Sequence, residues 1–149
     1  MRALFDVSML LALFDPRHVH HARAHAWWVA ARDDGWASCP LTENGFLRIS
    51  AQKAYANPIP LPDGLAILRN WAKPPLHAFW PDDVSLLDGA RIDHGRLLSP
   101  RQITDIYLLA LATKNGGRFV THDRGVSIAA VRHATAENLV NVLESRRTG

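Results

Sequence analysis

Short apolar runs alternate along this chain with longer segments whose apolar residues recur at helical spacing. Leu4-Phe5 reads as a short buried strand running into Asp6, and residues 8–14 follow as a helix with Ser8 as its candidate N-cap. Asp15-Pro16 breaks that helix, because the residue before a proline disfavours helical backbone. Residues 18–31 predict a second helix with Val19, Ala22, Ala26 and Val29 as its core-facing stripe. After Gly35, residues 36–39 predict a strand, and Pro40 suits the first turn of a helix that reaches about Lys53. A proline-rich turn over 57–62 precedes a helix marked by Leu65, Ile67, Leu68 and Trp71, which Pro74-Pro75 stops. Residues 77–80 predict a strand, and 82–98 a helical turn near 84–87 with a loop at Asp93-His94-Gly95. Ser99-Pro100-Arg101-Gln102 reads as a capped helix start with a capping box, and Gly116-Gly117 as the stop. The helix between them is apolar nearly all round, which predicts burial. Strands are predicted at 118–121 and 138–143.

Strands alternating with helices predict an α/β fold with a central, mostly parallel sheet in one domain over 1–149, residues 145–149 being a flexible tail. That topology makes the acidic residues informative. In a parallel βαβ unit the helix N-termini lie at the same sheet edge as the strand C-termini. Asp6 closes the first strand, Glu43 lies in the opening turn of the helix after 36–39, Asp105 is about one turn into the helix begun at Ser99, and Asp123 follows the strand at 118–121. Four carboxylates distant in sequence are thus expected at the edge where open α/β sheets bind ligands. Taken singly, each reads more readily as a solvated charge, or for Asp105 as a helix-start charge; as a set in this order they point to a site.

Converging carboxylates without Lys or Arg between them repel, and a hard divalent cation resolves the repulsion. Mg²⁺ favours carboxylate oxygens, and such an ion serves phosphodiester hydrolysis. Ser8, Thr104 and Thr121, next to the acids, are expected to orient them through hydrogen bonds. Arg48, Arg101 and Arg124 are the candidates nearest the acids for receiving substrate phosphates, although each alone reads as a surface charge. His18, His21 and His25 share a helix face that could hold a transition metal, but surface histidines are commoner. His122 invites a general-base role beside Asp123, against the tendency of adjacent residues leaving a strand to point apart.

Composition adds boundaries. The chain has 149 residues, 48% hydrophobic and 21% charged, ordinary for a soluble globular protein, and its net charge of +3 permits a nucleic-acid partner without requiring one. A single cysteine, Cys39, excludes an internal disulfide and a cysteine-built zinc site and leans towards a reducing cytoplasm. Asp6 interrupts any signal-peptide stretch, and the apolar runs at 9–14 and 106–112 fall far short of the ~20 residues that span a bilayer. A cytoplasmic protein without membrane association is expected.

Asp6-Val7-Ser8, Thr42-Glu43-Asn44-Gly45-Phe46, Thr104-Asp105 and Thr121-His122-Asp123 resemble the four acidic motifs of PIN domains. More narrowly, Phe14-Asp15-Pro16 with His18 and His21, residues 42–48, and residues 105–123 resemble the VapC toxins of VapBC toxin–antitoxin pairs. The resemblance spans nearly the whole chain and is loosest over 57–72 and 134–149. It implies an α/β/α sandwich and Mg²⁺- or Mn²⁺-dependent RNA cleavage by Asp6, Glu43, Asp105 and Asp123, on structured transfer or ribosomal RNA. It also implies a homodimer and a small VapB-like antitoxin that presents an arginine to the acidic site. Ser8 stands where many such proteins carry asparagine, and His122 where a hydrophobic or aromatic residue is usual. Adjacent Trp27 and Trp28 lie about 100° apart on a helix, so one core stripe cannot comfortably cover both; Trp28 is covered either by a neighbouring loop or by a second chain, and the resemblance to VapC toxins favours the second chain. Two other readings stay open: a PIN nuclease of RNA maturation or quality control, and a binding module with a dead site. A phosphatase fits less well, since Asp6-Val7-Ser8 lacks a second aspartate.

Overall fold

The computed structural model describes residues 1–144; the tail expected at 145–149 lies outside them. The strands are β1 (Ala3–Phe5), β2 (Trp36–Ser38), β3 (His77–Phe79), β4 (Arg118–Thr121) and β5 (Leu139–Asn141). They form one sheet in the order β3-β2-β1-β4-β5, and every neighbouring pair is parallel. Side-chain alternation splits the core in two. Leu4, Ala37 and Phe119 point to one face, where the buried helix α5 (Ile103–Lys114) packs with Ile92 and Val131. Ala3, Phe5, Trp36 and Val120 point to the other face. That side is covered by α1 (Val7–Phe14), α2 (His21–Ala31), α3 (Pro40–Ser50) and α4 (Leu61–Trp71). The result is an α/β/α sandwich. Among the described residues, no helix is long and apolar enough to cross a membrane.

Several local expectations are corrected. Asp6, not Ser8, caps α1, its carboxylate accepting from the Val7 amide at 2.8 Å. α2 begins at His21, and its buried side is Ala24 and Trp28, while Val19 and Val29 are 85% and 59% exposed. The indole wins over the small aliphatic stripe because it has far more apolar surface to bury. Trp28 meets Phe5 edge-on at 5.7 Å and Trp71 at 5.7 Å. Trp27 is half-buried, edge-on to Phe5 at 6.2 Å, with the Arg118 guanidinium 5.0 Å from its ring centre. Trp28 is therefore covered by its own chain, and Trp27 partly so. Residues 84–87 form no helix; a short 3₁₀ turn occurs instead at His94–Arg96, and an isolated antiparallel bridge joins Ile92 to Val131. Before α5, Pro100–Gln102 is 3₁₀, with Ser99 Oγ accepting from the Arg101 amide at 3.3 Å. Gln102 completes no capping box, its Oε1 being buried without a partner among the described residues.

Candidate active site

Asp6 ends β1 and caps α1, so its carboxylate is fixed by the join between the two elements. Oδ1 accepts from the Val7 amide; Oδ2 accepts from Thr121 Oγ1 at 2.7 Å and from Ser8 Oγ at 3.1 Å. Thr121 Oγ1 in turn accepts from the Asp123 amide at 3.0 Å, and Ser8 Oγ from the His122 amide at 3.2 Å. The C-terminal ends of β1 and β4, paired in register through Phe5 and Val120, are thereby tied together beyond the last ladder bond. Asp105 enters from the first turn of α5. Asp6, Asp105 and Asp123 each offer an oxygen within 4.8 Å of the others. Asp6 is buried, Asp105 half-buried and Asp123 exposed.

Among the described residues, no Lys, Arg or His forms an ion pair with any of the three. The electrostatic consequence is plain. Burial, and then the neighbouring Asp123, push the Asp6 carboxyl up to about 6 against the hydrogen bonds from Thr121, Val7 and Ser8. Burial, followed by repulsion from Asp6 and Asp123, raises Asp105 to about 7. Oxygen donors only, close together, partly desolvated and lacking a counter-charge, suit a hard divalent cation.

Glu43 stands apart from this triad. It occupies the opening turn of α3, one element along the same sheet edge, and its Oε2 accepts from Ser38 Oγ at 2.6 Å. Gly45 lets α3 approach α1 there: a Cβ at this position would lie 2.6 Å from Val7 Cγ2. Ser8 and Thr121 donate to the Asp6 carboxylate, whereas Thr104 is exposed and makes no hydrogen bond to the acids among the described residues. Arg48 and Arg101 are exposed, and Arg124 lies 3.9 Å from Glu144.

The expected face of His18, His21 and His25 does not assemble, because His18 precedes α2. The His21 ring bonds the Ala12 carbonyl at 2.8 Å and lies 5.9 Å from His25, whereas His18 neighbours His20 at 5.7 Å and His20 neighbours His122 at 5.5 Å. No histidine among the described residues belongs to a ligand group as tight as the aspartates. His122 is buried with Nε2 lacking a hydrogen-bond partner among the described residues, and burial, then His20 and His18, lowers it to about 4, so the ring is neutral near pH 7. Three residues escaped the sequence reading. Ser38 and His77 bond each other at 2.8 Å, and Asn141 Nδ2 donates to the Asp123 carbonyl at 3.0 Å. Only Ser38 left a signal, as a polar residue ending an otherwise apolar strand.

No family model matches the chain. Curated relatives do, over nearly its full length. Ribonuclease VapC44 of Mycobacterium tuberculosis is 46% identical over 142 residues, which is 95% of this chain and 100% of the relative. Ribonuclease VapC39 of the same organism is 41% identical over 145 residues, covering 96% and 100% of the two chains. Ribonuclease VapC38 is 41% identical over 143 residues, covering 95% and 99%.

Proposed function

The chain belongs to the VapC ribonucleases, and on that footing we propose that it is a Mg²⁺-dependent endoribonuclease toxin of a VapBC pair, hydrolysing phosphodiester bonds of structured transfer or ribosomal RNA. The observation carrying the reading is the aspartate group, oxygens within 4.8 Å of one another and no cation paired to it among the described residues. Asp6, Asp105 and Asp123 would hold Mg²⁺, or Mn²⁺ in its place, with Glu43 contributing directly or through water. When bound, the ion supplies Lewis-acid polarisation of the scissile phosphate.

The protein groups set the terms of that chemistry. Asp6 is pinned by three donors, so it presents a fixed oxygen and needs little reorganisation. Asp105 sits at a helix N-terminus, where the backbone favours a negative charge that its neighbours oppose. Asp6 and Asp105 hold protons close to neutrality in the free chain and give them up on binding a cation, which links affinity to pH. Exposed Arg48, Arg101 and Arg124 are the proposed anchors for RNA phosphates that the acids alone would repel.

We further propose a cognate VapB-like antitoxin that neutralises cleavage by bringing positive charge to the acids, and a homodimer in the cytoplasm. Support for a second copy rests on exposed Ala22, Ala26 and Val29 along α2, not on the tryptophans. The test is to induce the wild type and Asp6→Asn and map RNA ends. New 5′ ends at a few sites in one structured RNA, absent in the variant and suppressed by co-expressing the small gene adjacent to this one, are expected. Identical ends in both cultures would overturn the proposal.

A further inference from the structure

Glu43 carries a long, flexible side chain outside the aspartate triad, so something must fix it if it is to act there. Ser38, 1% exposed at the end of β2, makes two short contacts: its Oγ lies 2.6 Å from Glu43 Oε2 and 2.8 Å from His77 Nε2. A serine hydroxyl has one hydrogen, and an ionised carboxylate can only accept. The Ser38 proton therefore goes to Glu43, and His77 must donate to Ser38 from Nε2. His77 begins β3, the edge strand paired in register with β2, and its ring lies 4.5 Å from that of Trp36. Burial, with Arg2 adding to the effect, lowers its imidazole from the ordinary histidine value and so favours the neutral ring, which has a single proton to place. Among the described residues, Glu43 Oε1 has no hydrogen-bond partner, so one oxygen is anchored and the other is left for the site.

We propose that His77 and Ser38 form a relay, His77 Nε2–H to Ser38 Oγ–H to Glu43, in which both are positioning residues that orient Glu43 towards the three aspartates. The inference rests on the ribonuclease reading of that site. A charged acceptor makes the Ser38–Glu43 bond one of the stronger kind, and a buried serine has no water to replace its lost donor. Removing the hydroxyl frees Glu43 to sample other rotamers, which lowers turnover and leaves RNA binding by the exposed arginines alone.

The test measures steady-state cleavage of a labelled RNA by wild type, Ser38→Ala, His77→Ala, His77→Gln, Glu43→Ala and the Ser38→Ala/Glu43→Ala double variant. Ser38→Ala is expected to lower kcat roughly tenfold or more with KM nearly unchanged, the scale of one hydrogen bond to a charged group. His77→Ala is expected to show a smaller loss that His77→Gln, which keeps a donor, restores. In the Glu43→Ala background, Ser38→Ala is expected to have no further effect, which a general structural defect would not reproduce. Independently of activity, the nitrogen-15 spectrum of the His77 ring in the metal-free protein should show a proton on Nε2; a proton on Nδ1 alone would refute the relay. If Glu43→Ala abolishes cleavage while Ser38→Ala does not, the relay fails and the ribonuclease reading stands. If Glu43→Ala cleaves like wild type, Glu43 has no part in the site and the relay falls with it.

Discussion

Replacing Asp105 by asparagine is expected to stabilise the metal-free protein at neutral pH while disabling it. Asp105 accepts no hydrogen bond among the described residues; its raised pKa comes from burial first and from Asp6 and Asp123 next. The sign follows from linkage. In the unfolded chain the group titrates near 3.8, and in the fold near 7. Below the lower value both states are protonated and the variant gains nothing. Between the two, the fold binds a proton that the unfolded chain has released, so wild-type stability falls as pH rises, and the fall is complete only above the folded value. A displacement from 3.8 to about 7 corresponds to roughly 4 kcal/mol at about 1.36 kcal/mol per tenfold. Asp105 is only half-buried, so water screens much of that, and about 1–2 kcal/mol is a realistic gain. For a chain of this size each kcal/mol moves the melting temperature by about 2–4 °C.

The assay is thermal unfolding of wild type and Asp105→Asn in excess chelator from pH 4 to pH 8, repeated with Mg²⁺ near neutrality. The two melting temperatures should coincide near pH 4 and separate by roughly 2–8 °C at pH 8, the variant higher. Mg²⁺ should then raise the wild type more than the variant, since binding to the native state alone adds stability. A variant that melts lower than wild type at pH 8 in chelator would mean that Asp105 makes a stabilising interaction in the fold, and the argument from repulsion would be wrong.

Asp6→Asn and Asp105→Asn are each expected to reduce RNA cleavage at least ~10²-fold, with chelator acting likewise and Mg²⁺ or Mn²⁺ restoring the wild type; full activity in excess chelator would exclude the mechanism. The Mg²⁺ concentration giving half-maximal cleavage should rise as pH falls below about 7, because Asp105 and then Asp6 must lose protons first; a pH-independent requirement between 5.5 and 8 would count against these two as ligands. Trp28→Ala is expected to cost about 3–5 kcal/mol in denaturant unfolding with no change in oligomeric state by light scattering, as fits an indole packed on Phe5 and Trp71 of its own chain. Gly45→Ala should destabilise by about 1–3 kcal/mol, since the added methyl meets the stiff Val7 side chain; unchanged unfolding would show that α1 and α3 yield freely.

The sheet edge was legible in the sequence because it depends on topology alone. Once strands alternate with helices, Asp6, Asp105 and Asp123 must emerge on one side, whatever the exact boundaries. Their gathering needed only the strand ends at Phe5 and Thr121 and the helix start near Ser99. What escaped depended on which of two compatible packings wins. On α2, spacing alone allowed either Val19, Ala22, Ala26 and Val29 or Ala24 and Trp28 to face inward. The contest was decided by Phe5 and Trp71, aromatic partners contributed by β1 and α4 that no local pattern announces. The Ser38 contact with His77 was hidden for the same reason, because it requires the register that sets Trp36 opposite His77. Thr104 failed in the other direction: adjacency to Asp105 in sequence is not adjacency in space on a helix, where neighbours are turned about 100° apart.

Thr121 explains why the acids can be gathered before any counter-charge arrives. Its single hydroxyl donates to Asp6 and accepts from the Asp123 amide, so one buried side chain holds a carboxylate from β1 and the backbone that carries a second beyond β4. The donated hydrogen bond favours the ionised form of Asp6, opposing the burial that disfavours it. Ser8 repeats the device on the other side, donating to Asp6 and accepting from the His122 amide. Neutral donors lower the cost of the charge without cancelling it. A lysine in either place would remove the repulsion, but it would also occupy the negative field that makes the group attractive to a divalent ion. Hydroxyls leave the cluster short of positive charge and held by hydrogen bonds, and those two properties together would suit a cation in a geometry already set by the sheet.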